Sequence, residues 1–363
     1  VDGERDFRPN CAAFPLQSGG APPSNFPMSS KVASFSFAPQ SWLRRTALLG
    51  FTLILWWASI DWPNGIQRGL EPSWEGALVE AHLQGWQFGR DIQFTYGPWG
   101  FLSLAFFPVK GLHAKLGWEI FGRLAIAVTV VLASGSMTSR MRWVFLTASV
   151  MTCLWFEESM RVLIMVFVIV WLLPAQSRWW QRALAIGWMA FFAHHKFVYF
   201  AEATASMAVV VAVTVATRRW REGVAMLGGY VVAYLGWWLA AEQELANLPS
   251  YLRLSWQISD GYGWSMGIDP TWLQLSAGLT IAALVLALLV QWIRGNDAWP
   301  QRLGTVLVLA GGWLLAWKQA FTRADLHMFG FFLYSFLMAL FIVALPGKRR
   351  WGILFTGWAL VVL

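Results

Sequence analysis

Apolar stretches recur along the chain from Arg44 onward, near 46–60, 118–138, 143–155, 161–174, 183–195, 197–217, 223–240, 272–293, 303–317 and 328–345. An eleventh begins at Trp351 and stops at Leu363, so it reads as a span cut short. A membrane-crossing helix needs about 20 mostly apolar residues, and the pattern predicts an all-α polytopic transmembrane helix bundle of about ten or eleven spans. Two stretches are ambiguous: 143–174 and 183–217 each read as one long helix or as two short ones, interrupted by Glu157-Glu158 or by His194-His195-Lys196. Parity resolves them. Taking both as pairs puts Arg44/Arg45, Arg140/Arg142, Arg178/Arg182, Arg218/Arg219/Arg221, Arg294/Arg302 and Lys348/Arg349/Arg350 on one side, which the positive-inside rule makes the cytoplasm.

This topology leaves two long outer loops, 61–117 and 241–271, and places the N-terminus inside the cell. Fourteen of the nineteen Asp and Glu then fall on or near the outer, periplasmic face, three lie in the N-terminal tail, and only Glu222 and Asp297 are cytoplasmic. Acids contribute little to orientation, so their asymmetry is independent of the rule that set the topology. It directs attention to the large first periplasmic loop. Residues 1–41 are rich in Pro, Ser and Gly and read as a disordered lead without a cleavable signal. Met28-Ser29-Ser30-Lys31 resembles a bacterial start, so 1–27 reads as upstream translation, with 42–363 as the transmembrane domain.

Composition agrees with the pattern. Hydrophobic residues make up 57% of the 363, charged ones 13%, and mean hydropathy is +0.51, whereas a soluble domain carries about a quarter charged residues. The 26 Trp fit many lipid–water crossings. A net charge of +8 would suggest nucleic acid if it formed one stripe, but the cations lie in short clusters between apolar runs, so nucleic acid is not an expected partner and the lipid bilayer is. Cys11 and Cys153 form no framework for a disulfide or a thiolate metal site.

Three outer strings carry candidate chemistry. Glu71 to Gly85 has Pro72 at a helix start and Gly at its end. At 100° per residue Glu71, Glu75 and His82 share one face and Trp74, Ala77, Leu78 and Ala81 another, predicting an interfacial helix with its carboxylates turned to a cavity. The next string, Gly89-Arg90-Asp91 to Gly97-Pro98, ends in a turn, and 99–108 is too short to span. It reads as an interfacial or re-entrant piece, allowed at depth only where its backbone is shielded. The third string is Arg323-Ala324-Asp325-Leu326-His327, whose charged residues share one side if extended and whose guanidinium suits a phosphate. His194 and His195 are adjacent and make a poor chelate, while Lys196 suits a snorkelling or head-group role. The loop string Ser255 to Gly263 reads as a flexible substrate-contacting segment. The bland alternatives are solvated loop charges, a local Arg90–Asp91 pair and an ordinary polar turn at 323–327.

One span followed by a large outer loop with an acidic helix, then the 89–98 string and paired short spans, resembles the GT-C class of membrane glycosyltransferases. The likeness is to bacterial relatives of the protein mannosyltransferases and of the lipopolysaccharide-modifying sugar transferases, and it covers roughly 42–345. It implies an enzyme of the bacterial inner membrane that moves a sugar from a polyprenyl-phosphate carrier to a periplasmic acceptor, with a first-loop acid as base. The Asp-Glu pair usual after the first span is not present in that form; Glu71 and Glu75 are its nearest counterparts. The resemblance leaves Glu75, Glu71 or Asp91 as the base and Arg323 or Lys196 as the phosphate partner, with Asp325, His327 and Arg90 beside them. No cofactor is implied, since the donor needs no nucleotide and no Gly-rich phosphate loop is present; a divalent metal stays an open alternative. The rival readings are a lipid-linked-substrate transporter or flippase, which predicts charges near mid-span, and a membrane scaffold.

Overall fold

In a computed structural model the chain is described over residues 42–65, 67–137, 139–153, 159–294 and 299–344. The expected lead 1–41, Glu157-Glu158, Asp297, the cluster Lys348/Arg349/Arg350 and the run from Trp351 lie outside the described residues. Residues from Thr46 onward belong to one compact unit; of the preceding unit, Val1–Arg45, only the first residues of α1 are described.

The chain adopts an all-α, multi-pass architecture. In order come α1 (Trp42–Ser59), α2 (Leu70–Leu83), α3 (Leu112–Gly117), α4 (Arg123–Ser134), α5 (Ser139–Cys153), α6 (Ser159–Phe167), α7 (Trp179–Ala193), α8 (Phe197–Ala216), α9 (Trp220–Ala240), α10 (Leu248–Met266), α11 (Trp272–Ile293), α12 (Trp299–Thr322) and α13 (Leu326–Ala344). A π-turn, Trp118–Gly122, joins α3 to α4 in one apolar rod, Val109–Ser134. That rod, α8, α9, α11 and α12 are long and apolar enough to cross a bilayer, and Met160–Leu172 and His327–Ile342 are shorter apolar helices. At 1.5 Å per residue, α9 and α11 reach about 31–33 Å, matching a hydrocarbon core of about 30 Å. Of the two ambiguous stretches, 183–217 is divided, with α7 and α8 parted at His194–Lys196; the point that decides 143–174, residues 154–158, lies outside the described residues.

Indole rings mark both ends of the rods. Trp179, Trp220 and Trp299 open α7, α9 and α12 and are exposed; Trp57, Trp62, Trp264 and Trp272 are exposed at the other end. This is the distribution of ring-faced, edge-polar side chains at two lipid–water boundaries.

At the basic end the arginines do more than carry charge. A helix leaves its last carbonyls without intrahelical donors. Arg142 of α5 donates to Ser134 O (3.0 Å) and Gly135 O (2.9 Å) at the end of α4. Arg182 of α7 donates to Ala175 O (3.0 Å), Arg219 to Leu173 O (3.3 Å), and Arg302 of α12 to Trp292 O at the end of α11 (3.0 Å). Each guanidinium adds a donor at or just past the end of a helix, where the dipole is negative.

The opposite end is rich in connections. A two-residue strand, β1 (Asn64–Gly65), pairs in parallel with β2 (Phe106–Phe107), and α2 packs over that pairing. Segment 97–104 is seated on the α7–α8 corner: Gly97 N–H donates to His195 O (3.1 Å) and Trp99 N–H to His194 O (3.2 Å). A Cβ at Gly97 or Gly100 would run into the carbonyls of His194 and His195, so the close approach requires glycine at both positions. Gly100–Leu104 is buried, which meets the shielding condition for irregular backbone in this piece.

Two features differ from the sequence reading. The second loop is not a flexible segment: α10 occupies most of it. Pro249 sits in its first turn, and Leu248, Tyr251, Leu252 and Ser255 make a buried or half-buried stripe at helical spacing. Gly261 and Gly263 obscured that stripe. The carboxylate face of α2 also does not turn wholly outward, because Glu75 is buried on the same side as Pro72, Leu78 and Val79.

Candidate functional site

The foot of α1 and the start of the 109–134 rod assemble a row of charges. Lys115, Glu119 and Arg123 lie four residues apart, before, within and after the π-turn, a local widening found often at functional sites. Lys115 Nζ is 2.9 Å from Glu119 Oε1, and Arg123 Nε is 3.2 Å from Glu119 Oε2. Lys115 is 0% and Glu119 1% exposed. Lys115 also donates to Leu102 O (3.0 Å), tying the row to the buried segment. Such a row is tolerable out of water because each charge has an opposite partner.

Asp61 closes the row. Its backbone N–H donates to Glu119 Oε2 (2.8 Å) and its Oδ2 lies 3.7 Å from Lys115 Nζ, yet its side chain is 41% exposed. Partial burial, with Glu119 adding like charge, pushes the Asp61 carboxyl above its ordinary value despite the pull of Lys115 and Arg123. Asp61 is therefore a reachable carboxylate with enhanced basicity. It was not among the residues singled out from sequence, although it is the first acid after the first span.

Glu75 stands beside it. Its Oε2 accepts the N–H groups of Ala105 (2.9 Å) and Phe106 (2.8 Å), closing the strand that pairs with 64–65. Burial raises its carboxyl and the two backbone donors oppose this; the charges of Glu71 and Asp61 push the same way as burial. Glu71 is exposed and accepts from Trp74 Nε1 (2.5 Å). Trp74 leads on to Tyr96 (centroids 5.1 Å), and Lys196 Nζ sits 5.0 Å from the Tyr96 ring centroid. Glu71 and Lys196 are thus joined through Trp74 and Tyr96, while Glu75 is committed to the 105–106 strand.

The remaining expected residues lie elsewhere. Arg90 and Asp91 form an exposed pair (3.0 Å), with Glu244 3.5 Å from Arg90. The Arg90 side chain and the Gln87 N–H hold Asp91 below the ordinary carboxylate value, which weakens it as a base. This pair sits by the start of α10, where Ser250 Oγ donates to Gly89 O (2.8 Å). Arg323 meets the other end of α10: Nη1 is 3.4 Å from Tyr262 Oη, and Nε is 2.6 Å from Asp325 Oδ2. Twelve residues of helix separate the two contacts, about 18 Å, so Asp91 and Arg323 do not share a site. Asp325 is shared, its Oδ1 taking His327 Nδ1 at 2.5 Å. Burial alone would raise Asp325, but the bonds from His327 and Arg323 outweigh it and bring it down to about 2.

Two buried groups complete the picture. His194 Nε2 pairs with Tyr234 O (2.8 Å) and His195 Nδ1 with Phe191 O (3.1 Å), and both rings are fully enclosed. Burial pushes them down to about 4 and about 3, so both are neutral. They are parts of the corner that seats 97–104. Inside the bundle Arg161 of α6 pairs with Glu202 of α8 (3.2 Å) and donates to Gln319 Oε1 (3.1 Å) and Gly312 O (3.0 Å) of α12. Its guanidinium also lies over the Tyr334 ring of α13 at 5.4 Å. Sequence reading placed both residues within spans but did not connect them. Among the described residues no group of three or more His, Cys, Asp or Glu is disposed to hold a metal ion. No family model, curated protein or solved structure matches the chain.

Proposed function

We propose that this chain is a membrane glycosyltransferase that takes a sugar from a polyprenyl-phosphate carrier, with its loop-rich end facing the periplasm of a bacterial inner membrane. The observation that carries the reading is Asp61: a reachable carboxylate of raised basicity, fixed at the foot of the first span by a buried Lys115–Glu119–Arg123 row. The likeness to GT-C enzymes, which use a first-loop acid as base, supports the same assignment. In the reaction the acceptor hydroxyl attacks the anomeric carbon while Asp61 takes its proton. The carbon–oxygen bond to phosphate breaks, and the electron pair leaves on polyprenyl phosphate. Lys196, held over Tyr96 near α2, is the cation that meets the leaving phosphate. Glu75 holds the 105–107 strand against 64–65 and keeps Asp61 in place.

The test is turnover. Purified protein in proteoliposomes, given radiolabelled polyprenyl-phosphate sugars, is expected to release polyprenyl phosphate and pass label to a hydroxyl acceptor. Folded protein that cleaves none of a broad carrier panel would end the proposal. A second reading, a transporter of lipid-linked substrate, draws on the Arg161–Glu202 pair, because ionisable groups inside a bundle mark pathways across it. In the same vesicles it would show as movement of intact carrier without bond cleavage.

Sidedness is separately testable. Cysteine introduced at Ser259 is expected to react with a membrane-impermeant thiol reagent on intact spheroplasts, and cysteine at Ser177 only after lysis. The reverse pattern would invert the topology.

A further inference from the structure

The α8–α9 corner lies at the basic end, away from the proposed reaction, and is independent of it. Residues 217–219 are all that join two rods long and apolar enough to cross a bilayer, Phe197–Ala216 and Trp220–Ala240. A three-residue connection cannot carry its side chains far from the lipid boundary. Arg218, Arg219, Trp220, Arg221 and Glu222 line a shallow, open surface crevice there.

The cations in this corner have unequal duties. Arg219 is committed, to Glu222 Oε2 (2.7 Å) and Leu173 O, and Arg182 reaches the same Glu222 oxygen at 2.8 Å. Arg218 and Arg221 are exposed, and neither is paired with an acid among the described residues. Arg221 lies over the exposed ring of Trp220 (5.5 Å), an arrangement that holds the guanidinium beside an interface-seeking indole.

Arg218 adds a backbone observation. It closes α8 in the left-handed region, φ 58°, while its N–H donates to Val215 O (2.9 Å) and the next N–H to Thr214 O (2.6 Å). That position of a helix-ending turn is normally glycine, which adopts it without steric cost. Arginine carries a steric cost there that glycine would not, as Glu242 (φ 58°) does at the end of α9, and at Arg218 that cost falls on an exposed cation beside the crevice.

We infer that this corner binds the phosphate of an anionic phospholipid headgroup, with Arg218 and Arg221 as its cations and Trp220 as the interfacial anchor. Arginine suits the role because its planar fork donates to two phosphate oxygens at once, and basic pockets between spans recognise lipid headgroups in this way.

The substitutions separate binding from folding. Purified wild type, Arg218→Gly, Arg221→Gln and the double variant are titrated with phosphatidylglycerol, phosphatidylcholine and soluble glycerol phosphate, read by native mass spectrometry and thermal unfolding. Wild type is expected to retain phosphatidylglycerol over phosphatidylcholine. Each substitution should weaken that retention about fivefold, while Arg218→Gly in phosphatidylcholine unfolds no earlier than wild type. Equal retention by the double variant, or no preference over phosphatidylcholine in wild type, would overturn the inference. So would glycerol phosphate competing as well as the lipid, since the site would then take free phosphate. Should Arg218→Gly unfold early, retention by Arg221→Gln alone decides between the two outcomes, because that substitution alters no backbone preference.

Discussion

Asp61→Asn is expected to slow sugar transfer by about 100-fold or more while carrier binding stays nearly intact. The substitution keeps the size of the side chain and leaves the Asp61 N–H bond to Glu119 in place; it removes the ability to take a proton and the long 3.7 Å charge contact with Lys115, which keeps its closer partner Glu119. Glu75→Gln is the comparison. A glutamine carbonyl still accepts the Ala105 and Phe106 donors, so this variant should fold and retain most of the rate if Glu75 positions rather than reacts. A wild-type rate for Asp61→Asn with loss in Glu75→Gln would exchange the two roles. The pH profile gives a second readout. The base works as the carboxylate, so transfer should rise with pH through the Asp61 pKa, which burial places above the ordinary 3.8. In Asp61→Asn that inflection should vanish.

Arg161→Met is expected to cost about 3–5 kcal/mol, because it removes the guanidinium from beside the buried Glu202 carboxylate and from its bonds to Gln319 and Gly312. Proteins keep about 5–15 kcal/mol in total, so little monodisperse protein should survive purification. The double variant Arg161→Met/Glu202→Met should regain most of the loss, since two apolar side chains replace a pair that had to be desolvated. Yield and thermal unfolding of the two variants decide the matter. Stability of Arg161→Met equal to wild type would mean that the pair, 1% and 3% exposed, does not hold α6 and α8 together. If the double variant folds and still transfers sugar but no longer moves carrier, the pair belongs to a passage rather than to the reaction.

Much of the scaffold was legible in the sequence because its signals are local. Apolar length located the helices, and the break at His194–Lys196 followed from charge parity. The site was less legible. Asp61 carries no motif; its significance comes from Lys115 and Glu119, which approach it only once the first connection folds back. Glu75 shares a helical face with Glu71 by periodicity, but the unpaired N–H groups of 105–106 claim it for the interior. Arg161 and Glu202 are 41 residues apart, and their meeting depends on how α6 and α8 pack, which no periodicity encodes. Arg323-Ala324-Asp325-Leu326-His327 was recognised as one constellation, and Asp325 does join the other two side chains, though α10 keeps it away from Asp91.

The arginine caps at the basic end bear on how the chain enters a membrane. The carbonyls that end α4 and α11 are satisfied by Arg142 and Arg302, which belong to the helices that follow. A helix released alone would keep the Met137 N–H on Ser134 O (3.0 Å), but Gly135 O and Trp292 O would lack their guanidinium donor until the following helix arrived. We therefore expect α4 with α5, and α11 with α12, to be stable as pairs before they are stable as single helices, with Arg142 and Arg302 as the clasps.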